Sequence, residues 1–191
     1  MDVSDRRKTS SLPAMTDRLQ TAYRALERLR IFEVLAAYDP RLAGTIPLEI
    51  DTPESDLDII CEAYDLRAFA DAVINAFGLY DQFTCQIKDV FGIVCVVAGL
   101  WHDGFEIEIF GQGKSVIDQS AYRHLQVESR LLAIGGDPAK TAIRRLKLGG
   151  MKTEPAFAEY FGLQGDPYET LLRHSYLNDS ALRQAIQQSN E

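Results

Sequence analysis

The sequence predicts an α+β fold, with a helical lead-in, a small mixed or antiparallel sheet with flanking helices, and a helical C-terminal half. Three observations carry that reading. Period-two alternation is confined to residues 56–110, and FEIEIF (residues 105–110) is its cleanest instance. Upstream, Leu19, Tyr23, Leu26 and Leu29 recur at three- and four-residue steps, as the buried stripe of a helix does. Beyond Gly113, helical periodicity is interrupted only by Gly-Gly, Gly-Gly and Gly-Asp-Pro.

The elements follow in order. Residues 16–38 read as helix, with a bend where the apolar phase shifts at Ile31-Phe32, and Asp39-Pro40 stops it because proline disfavours helical geometry in the preceding residue. A short extended piece (41–44) leads into a turn-rich stretch (45–55) carrying Pro47 and Pro53. Residues 56–61 (DLDIIC) alternate as a half-buried strand does, and 66–77 form a crossover helix that ends at Gly78. Residues 83–88 and 92–100 form a hairpin with Asp89 near its turn. Helices are expected over 119–134, 138–148, 154–161, 167–174 and 179–188.

The chain has 191 residues, 46% hydrophobic and 25% charged, which suits one domain with a helical appendage. We divide it into a disordered N-terminus (1–14), an α/β core (15–113) and a helical region packed on that core (114–191). The net charge of -8 argues against a protein that coats duplex DNA, whose affinity rests on Lys and Arg. Cys61, Cys85 and Cys95 are odd in number and form no Cys-x-x-Cys pair, as expected of thiols buried in a reducing compartment. No apolar run approaches the roughly 20 residues of a spanning helix, so the expectation is a cytoplasmic protein with no membrane partner.

The chemistry concentrates in Gly44-Thr45 and, after ten intervening residues, Asp56-Leu57-Asp58-Ile59. On a strand Asp56 and Asp58 share a face while Leu57 and Ile59 turn to the core. Adjacent carboxylates repel and call for a cation, and a hard divalent ion such as Mg2+ or Mn2+ suits oxygen ligands. Glu106 and Glu108 repeat the spacing downstream; if the two strands pair, three or four carboxylates converge in the manner of a site that holds two metal ions around a transferring phosphoryl group. Gly44 permits close backbone approach, and neighbouring N–H groups with the Thr45 hydroxyl suit phosphate oxygens; Ser55 closes the same loop.

The pattern Ala43-Gly44-Thr45, Asp56-Leu57-Asp58-Ile59 and Ile107-Glu108-Ile109 resembles the signature of the polymerase-beta-like nucleotidyltransferases, with Thr45 where Ser or Gly is usual. The segments GTIPLEIDTPESDLDIIC, FEIEIFGQ, QSAYRHLQVESRLL and MKTEPAFAEYFGLQGDPYETLL resemble an uncharacterised bacterial family placed near that superfamily, over about residues 29–173. The resemblance implies a nucleotidyltransferase-like fold and transfer of a nucleoside monophosphate from an NTP, with ATP the expected triphosphate, to an acceptor hydroxyl on a small molecule, protein or RNA. Asp56, Asp58 and Glu108 are then the catalytic acids and metal ligands. Glu106 is a further ligand candidate, and the order of the two glutamates stays open. A non-catalytic nucleotide or metal binder, and a phosphohydrolase using the same acids, are the alternatives.

Other residues are weighed beside these. Arg123 and Tyr122, with Gln119, share a helix face that suits phosphate pairing and base stacking, or else core packing. Lys140, Arg144 and Lys147 form a basic stripe that steers a polyanion or simply meets solvent. Thr153 is the expected N-cap of its helix, with Lys152 beside it as a phosphate candidate. Gly111-Gln112-Gly113-Lys114-Ser115 lacks the first glycine of a phosphate loop and reads as a strand-ending turn. His124 alone reads as structural or exposed.

Overall fold

The computed structural model describes residues 17–188, so the disordered start expected over 1–14 lies outside the described residues. Helix α1 (Asp17–Leu29) buries Leu19, Ala22, Ala25, Leu26 and Leu29. Tyr23, expected on that stripe, is 38% exposed, and the small side chains of Ala22 and Ala25 take the core-facing positions instead. The expected bend occurs at Arg30, which adopts a left-handed φ of 53° before the short helix α2 (Ile31–Val34). A 3-10 turn (Ala36–Tyr38) then delivers the chain to strand β1 (Arg41–Ala43).

Strand β2 (Leu57–Glu62) leads to helix α3 (Leu66–Phe77), whose first N–H groups are capped by the Asp65 carboxylate at 3.1 and 3.0 Å. Strands β3 (Asp81–Val90), β4 (Ile93–His102) and β5 (Phe105–Gln112) follow as two hairpins. Their turns, Phe91-Gly92 and Asp103-Gly104, have positive φ at both positions, the conformation whose twist matches a two-residue hairpin. Asp89 lies near the first turn, as expected, and its carboxylate accepts from the Gly92 N–H at 2.7 Å.

The five strands form one mixed sheet in the order β1-β2-β5-β4-β3. Neighbours are antiparallel except β2 and β5, which run parallel. The parallel pair requires the chain to cross over, and α3 makes the crossing on one face of the sheet. There Phe69 lies so close to β5 that a Cβ on Gly111 would sit 2.2 Å from its ring. Gly111 thus serves packing, in a strand that runs on to Gln112.

The C-terminal half is helical. Helix α4 (Ser120–Leu148) is continuous except for a bend at Gly136 (φ 62°, ψ −158°), which joins the two helices expected there. Helices α5 (Thr153–Phe161), α6 (Pro167–His174) and α7 (Asp179–Gln188) complete it. No helix among the described residues is long and apolar enough to cross a membrane. Cys61, Cys85 and Cys95 are free thiols, Cys61 and Cys95 buried and Cys85 half-buried.

Two apolar clusters form. The first packs α1 and α3 against one sheet face through Leu26, Phe69, Leu57, Ile59, Ile107 and Ile109. The second lies among the C-terminal helices and includes Val127, Leu131, Ile143, Phe157 and Leu171. The 45–55 loop belongs to both: Ile46 enters the first cluster, Leu48 and Ile50 the second. Ile50 is fully buried. Ile50→Ala is therefore expected to cost about 2 to 4 kcal/mol, read as a lowered urea midpoint of the far-ultraviolet dichroism signal.

Candidate active site

The site begins with strand register. In the β1–β2 pair Ala43 stands opposite Asp58, and in the parallel β2–β5 pair Asp58 stands opposite Glu108. Three strands thus place the Gly44 turn, Asp58 and Glu108 at one level of the sheet. Leu57 and Ile59 are buried on the far face, so Asp58 and Glu108 project on the near face by strand alternation. Gly44 has φ +73°, and a Cβ there would lie 2.1 Å from Asp58 Oδ2. The carboxylate packs directly on the glycine Cα, and no other residue type leaves that space.

The near face is open at this level and forms the floor of a cleft of about 680 Å³. Gly44, Thr45, Ser55, Asp56, Asp58, Glu108 and Lys152 all line it. Asp56 lies just before β2 begins. Glu106 is not among the lining residues; it is exposed on β5 opposite Trp101 of β4. Of the two glutamates the cleft therefore takes Glu108.

The loop between the glycine turn and the aspartates is held from several directions. Inside it, Thr45 Oγ1 donates to Ser55 Oγ at 3.2 Å and the Thr52 N–H donates to the same oxygen at 2.9 Å, so Ser55 ties the loop's two ends. From α1, Arg18 makes a 2.9 Å ion pair with the buried Asp51 and donates to the carbonyls of Pro53 and Ser55 at 3.2 Å each. From α4, Lys140 pairs with Glu49 at 2.5 Å and Arg144 donates to the Asp51 carbonyl at 2.9 Å. Two members of the basic stripe, Lys140 and the exposed Arg144, thus fasten the loop, and the third, Lys147, enters the cleft.

The opposite wall is helical and was largely missed by sequence reasoning. Ser120, His124 and Glu128 line the cleft at four-residue steps on α4. That stripe explains why Tyr122 and Arg123 do not reach it: they lie at other angles around the helix. Tyr122 packs against Ala43, Ile60 and Val116. Arg123 pairs with Asp118 at 2.6 Å and its guanidinium lies 4.2 Å from the centre of the Tyr176 ring. Both expectations for a ligand role are corrected by this rotation. Thr153 is corrected too: the α5 N-cap is Lys152, and the Thr153 hydroxyl accepts from Lys147 Nζ at 2.8 Å. The polar stripe Ser120–His124–Glu128, beside core-facing Val127 and Leu131, was the signal available in the sequence.

Electrostatics link the walls. Burial first, then the charges of Asp56 and Glu108, push the Asp58 carboxyl up to about 7, with Lys147 opposing. Burial and Asp56 also raise Glu108. Across the cleft, burial followed by Glu154 pushes Glu128 up to about 8. Burial lowers Lys147, although Glu128, Glu154 and Asp56 pull the other way. His124 Nδ1 lies 3.2 Å from Glu154, and its Nε2 lies 3.1 Å from the Tyr168 carbonyl. Burial opposes the charge on His124, but the bond to Glu154 prevails and raises its pKa.

The donor chemistry of the sheet wall suits a hard divalent cation: three carboxylates carry more negative charge than the fold neutralises. Among the described residues no group of three His, Cys, Asp or Glu is already gathered at metal-binding distances. Binding there requires Asp56 and Glu108 to turn toward Asp58.

The Asp58 proton has a consequence for stability. The folded chain keeps it up to about pH 7, whereas the ordinary carboxyl value is 3.8. Stability therefore falls as pH rises through that window. Asp58→Asn should raise the melting temperature at pH 8 by roughly 2 to 8 °C, equivalent to about 1 to 2 kcal/mol, and change it little at pH 4. Scanning calorimetry at the two pH values checks this.

Residues 24–174 match the family described as a domain of unknown function, DUF4269. No curated protein matches the chain. Among solved structures it is similar to the GLD-2/RNP-8 complex, with 13% identity and a TM-score of 0.55, over 88% of this chain and 71% of that one. It is also similar to the Cid1 poly(U) polymerase with MgGTP bound, with 12% identity and a TM-score of 0.52, over 70% of this chain and 42% of that one. A cytoplasmic RNA terminal U-transferase matches with 16% identity and a TM-score of 0.51, over 85% of this chain and 48% of that one. The chain thus spans less than half the length of the last two. These likenesses show the fold, that of the nucleotidyltransferases, and the chain belongs to the DUF4269 family.

Proposed function

We propose that this chain is a metal-dependent nucleotidyltransferase that moves a nucleoside monophosphate from an NTP to an acceptor hydroxyl. The observation that carries the reading is the convergence of Gly44, Asp58 and Glu108 on one level of the sheet at the floor of the cleft. A scaffold with no ligand has no need of mutually repelling acids at one level of the sheet, one of them packed on a glycine.

Asp56 and Asp58, with Glu108, are the residues to hold a divalent ion. When bound, such an ion neutralises phosphate charge and makes the acceptor hydroxyl more acidic. The chain's own groups do the rest. The Gly44-Thr45 turn and the Thr45 and Ser55 hydroxyls face phosphate oxygens. Lys147 and Lys152 supply positive charge from the helical wall, opposite the sheet carboxylates. Glu108, with its raised affinity for a proton, accepts the proton of the acceptor hydroxyl. The acceptor oxygen bonds to the α-phosphorus, and the bond from that phosphorus to the bridging oxygen breaks with loss of pyrophosphate. The expected nucleotide is ATP and the expected ion Mg2+ or Mn2+. Free thiols at all three cysteines are consistent with a cytoplasmic setting.

Manganese with ATP is expected to raise the melting temperature of the wild-type chain, and pyrophosphate release should follow once an acceptor is present. Asp58→Ala should abolish the shift and lower release by about a hundredfold or more, the scale of losing one charge-stabilising group. An unchanged rate in that variant would falsify the assignment. A thermal shift without pyrophosphate release from any acceptor identifies a nucleotide binder instead, and release of phosphate in place of pyrophosphate identifies a phosphohydrolase.

Gly44→Ala tests the floor of the site separately. The new Cβ displaces the Asp58 carboxylate, so manganese affinity should fall about tenfold or more, a loss of at least 1.4 kcal/mol. Titration of the apo chain with manganese, followed by electron paramagnetic resonance, measures it.

A further inference from the structure

The transferase reading uses the lysines of the helical wall but leaves its acids without an assigned task. Its central group is Glu128, in the middle of the first half of α4, only 4% exposed and lining the cleft. Among the described residues it has no hydrogen-bond or ion-pair partner. Its carboxyl oxygens are not sealed in the core but meet the cleft, so a partner for them comes from solvent or a ligand. Val127 and Leu131 beside it belong to the core, so an apolar residue could have stood there.

The neighbours are engaged elsewhere. Glu154 on α5 is bonded to His124, and Lys147 donates to Thr153. Both lysines of the lining, Lys147 and Lys152, are needed by the phosphates, and a divalent ion offsets the sheet carboxylates. Carboxylates outnumber the basic side chains of the lining, Lys147, Lys152 and His124, six to three. With the nucleotide's demands met, the helical wall is still acidic. Gln119, also on the lining, is 1% exposed; its Nε2 donates to the carbonyls of Cys61 and Lys114, and its Oε1 is buried without a partner. A group with several donors, a positive charge and no acceptor is the complement of such a wall, and a protonated amine has those properties.

We propose that Glu128 anchors an acceptor subsite on the helical wall, and that the acceptor it selects is a small molecule bearing a protonated amine as well as the hydroxyl that reacts. The inference rests on the transferase reading of the same cleft and names its second substrate by class. A polynucleotide acceptor fits poorly, since its phosphates meet surplus negative charge there. Binding an ammonium beside Glu128 favours the ionised carboxylate, so the raised affinity of Glu128 for a proton is relieved on binding and a proton is released.

Glucosamine and glucose make a matched pair of probes that differ in one charged group. Calorimetric titration of the full apo chain near neutral pH is expected to show glucosamine binding about tenfold or more tightly than glucose, with a released proton detectable as a dependence of the heat on the buffer. Glu128→Gln, which keeps the shape and removes the charge, should erase the preference and the proton release while leaving the manganese–ATP thermal shift of the wild type intact. In the presence of manganese and ATP, pyrophosphate release should likewise favour glucosamine over glucose. Equal binding of the two sugars by the wild type overturns the proposal. So does a preference that survives in Glu128→Gln, or pyrophosphate release that selects an oligoribonucleotide. If the variant does not fold, the wild-type comparison of the two sugars decides alone. An amine preference in a chain that shows no manganese–ATP shift supports the subsite and removes the transferase reading, so the two failures are distinct.

Discussion

The functional corner of this protein depends on a parallel strand pair. Because β2 and β5 run side by side in the same direction, Asp58 falls level with Glu108, and because β1 lies on the other side of β2, the Gly44 turn falls level with both. A slip of one residue would send Asp58 into the core and bring Leu57 to the cleft. The register is guarded by that penalty: Leu57, Ile59, Ile107 and Ile109 are all fully buried on the far face. The core that stabilises the sheet is thus the same device that aims the carboxylates.

A second constraint joins this corner to the helical half. The 45–55 loop lies between the glycine turn and the aspartates, and a loop of that length rarely holds a site rigid without support. Here Ile46 is buried in one cluster and Leu48 and Ile50 in the other, while Arg18, Lys140 and Arg144 fasten the backbone and acids around Asp51. The Arg18–Asp51 pair has its acid almost wholly buried, so breaking it by removing one partner is costly in a way that an exposed pair is not. The loop sets the width of the cleft because both walls are attached to it.

Charge gives the cleft its character. Burial and neighbouring acids raise Asp58 on the sheet wall and Glu128 on the helical wall, His124 holds Glu154 low, and Lys147 stands between the two groups with its own charge partly suppressed by burial. Such a balance is costly in the free protein and is relieved by ligands of the right sign. It also explains how an acidic protein can present a phosphate site: the positive charge is local, on Lys147 and Lys152, and is not a property of the whole surface.

The order of helices and strands, the mixed α+β class and the Gly44–Asp58 spacing could be read from the chain, because they rest on local rules: period two for FEIEIF, period three to four for the helices, and Gly or Pro at their ends. The near-face placement of Asp58 and Glu108 followed from alternation alone. What the chain could not show was rotation and docking. Tyr122 and Arg123 lie on the first C-terminal helix as expected, but the angle at which that helix meets the sheet is set by packing between residues distant in sequence, and it turns Ser120, His124 and Glu128 to the cleft instead. Glu106 and Glu108 look alike in the sequence; which of them lines the cleft depends on the walls that loop and helices build above the sheet. The hold of the basic stripe on the loop could not be read locally because its partners, Glu49 and Asp51, are some ninety residues away along the chain. Local chemistry determined the elements and the acids they carry, whereas long-range packing decided which side chains meet across the cleft.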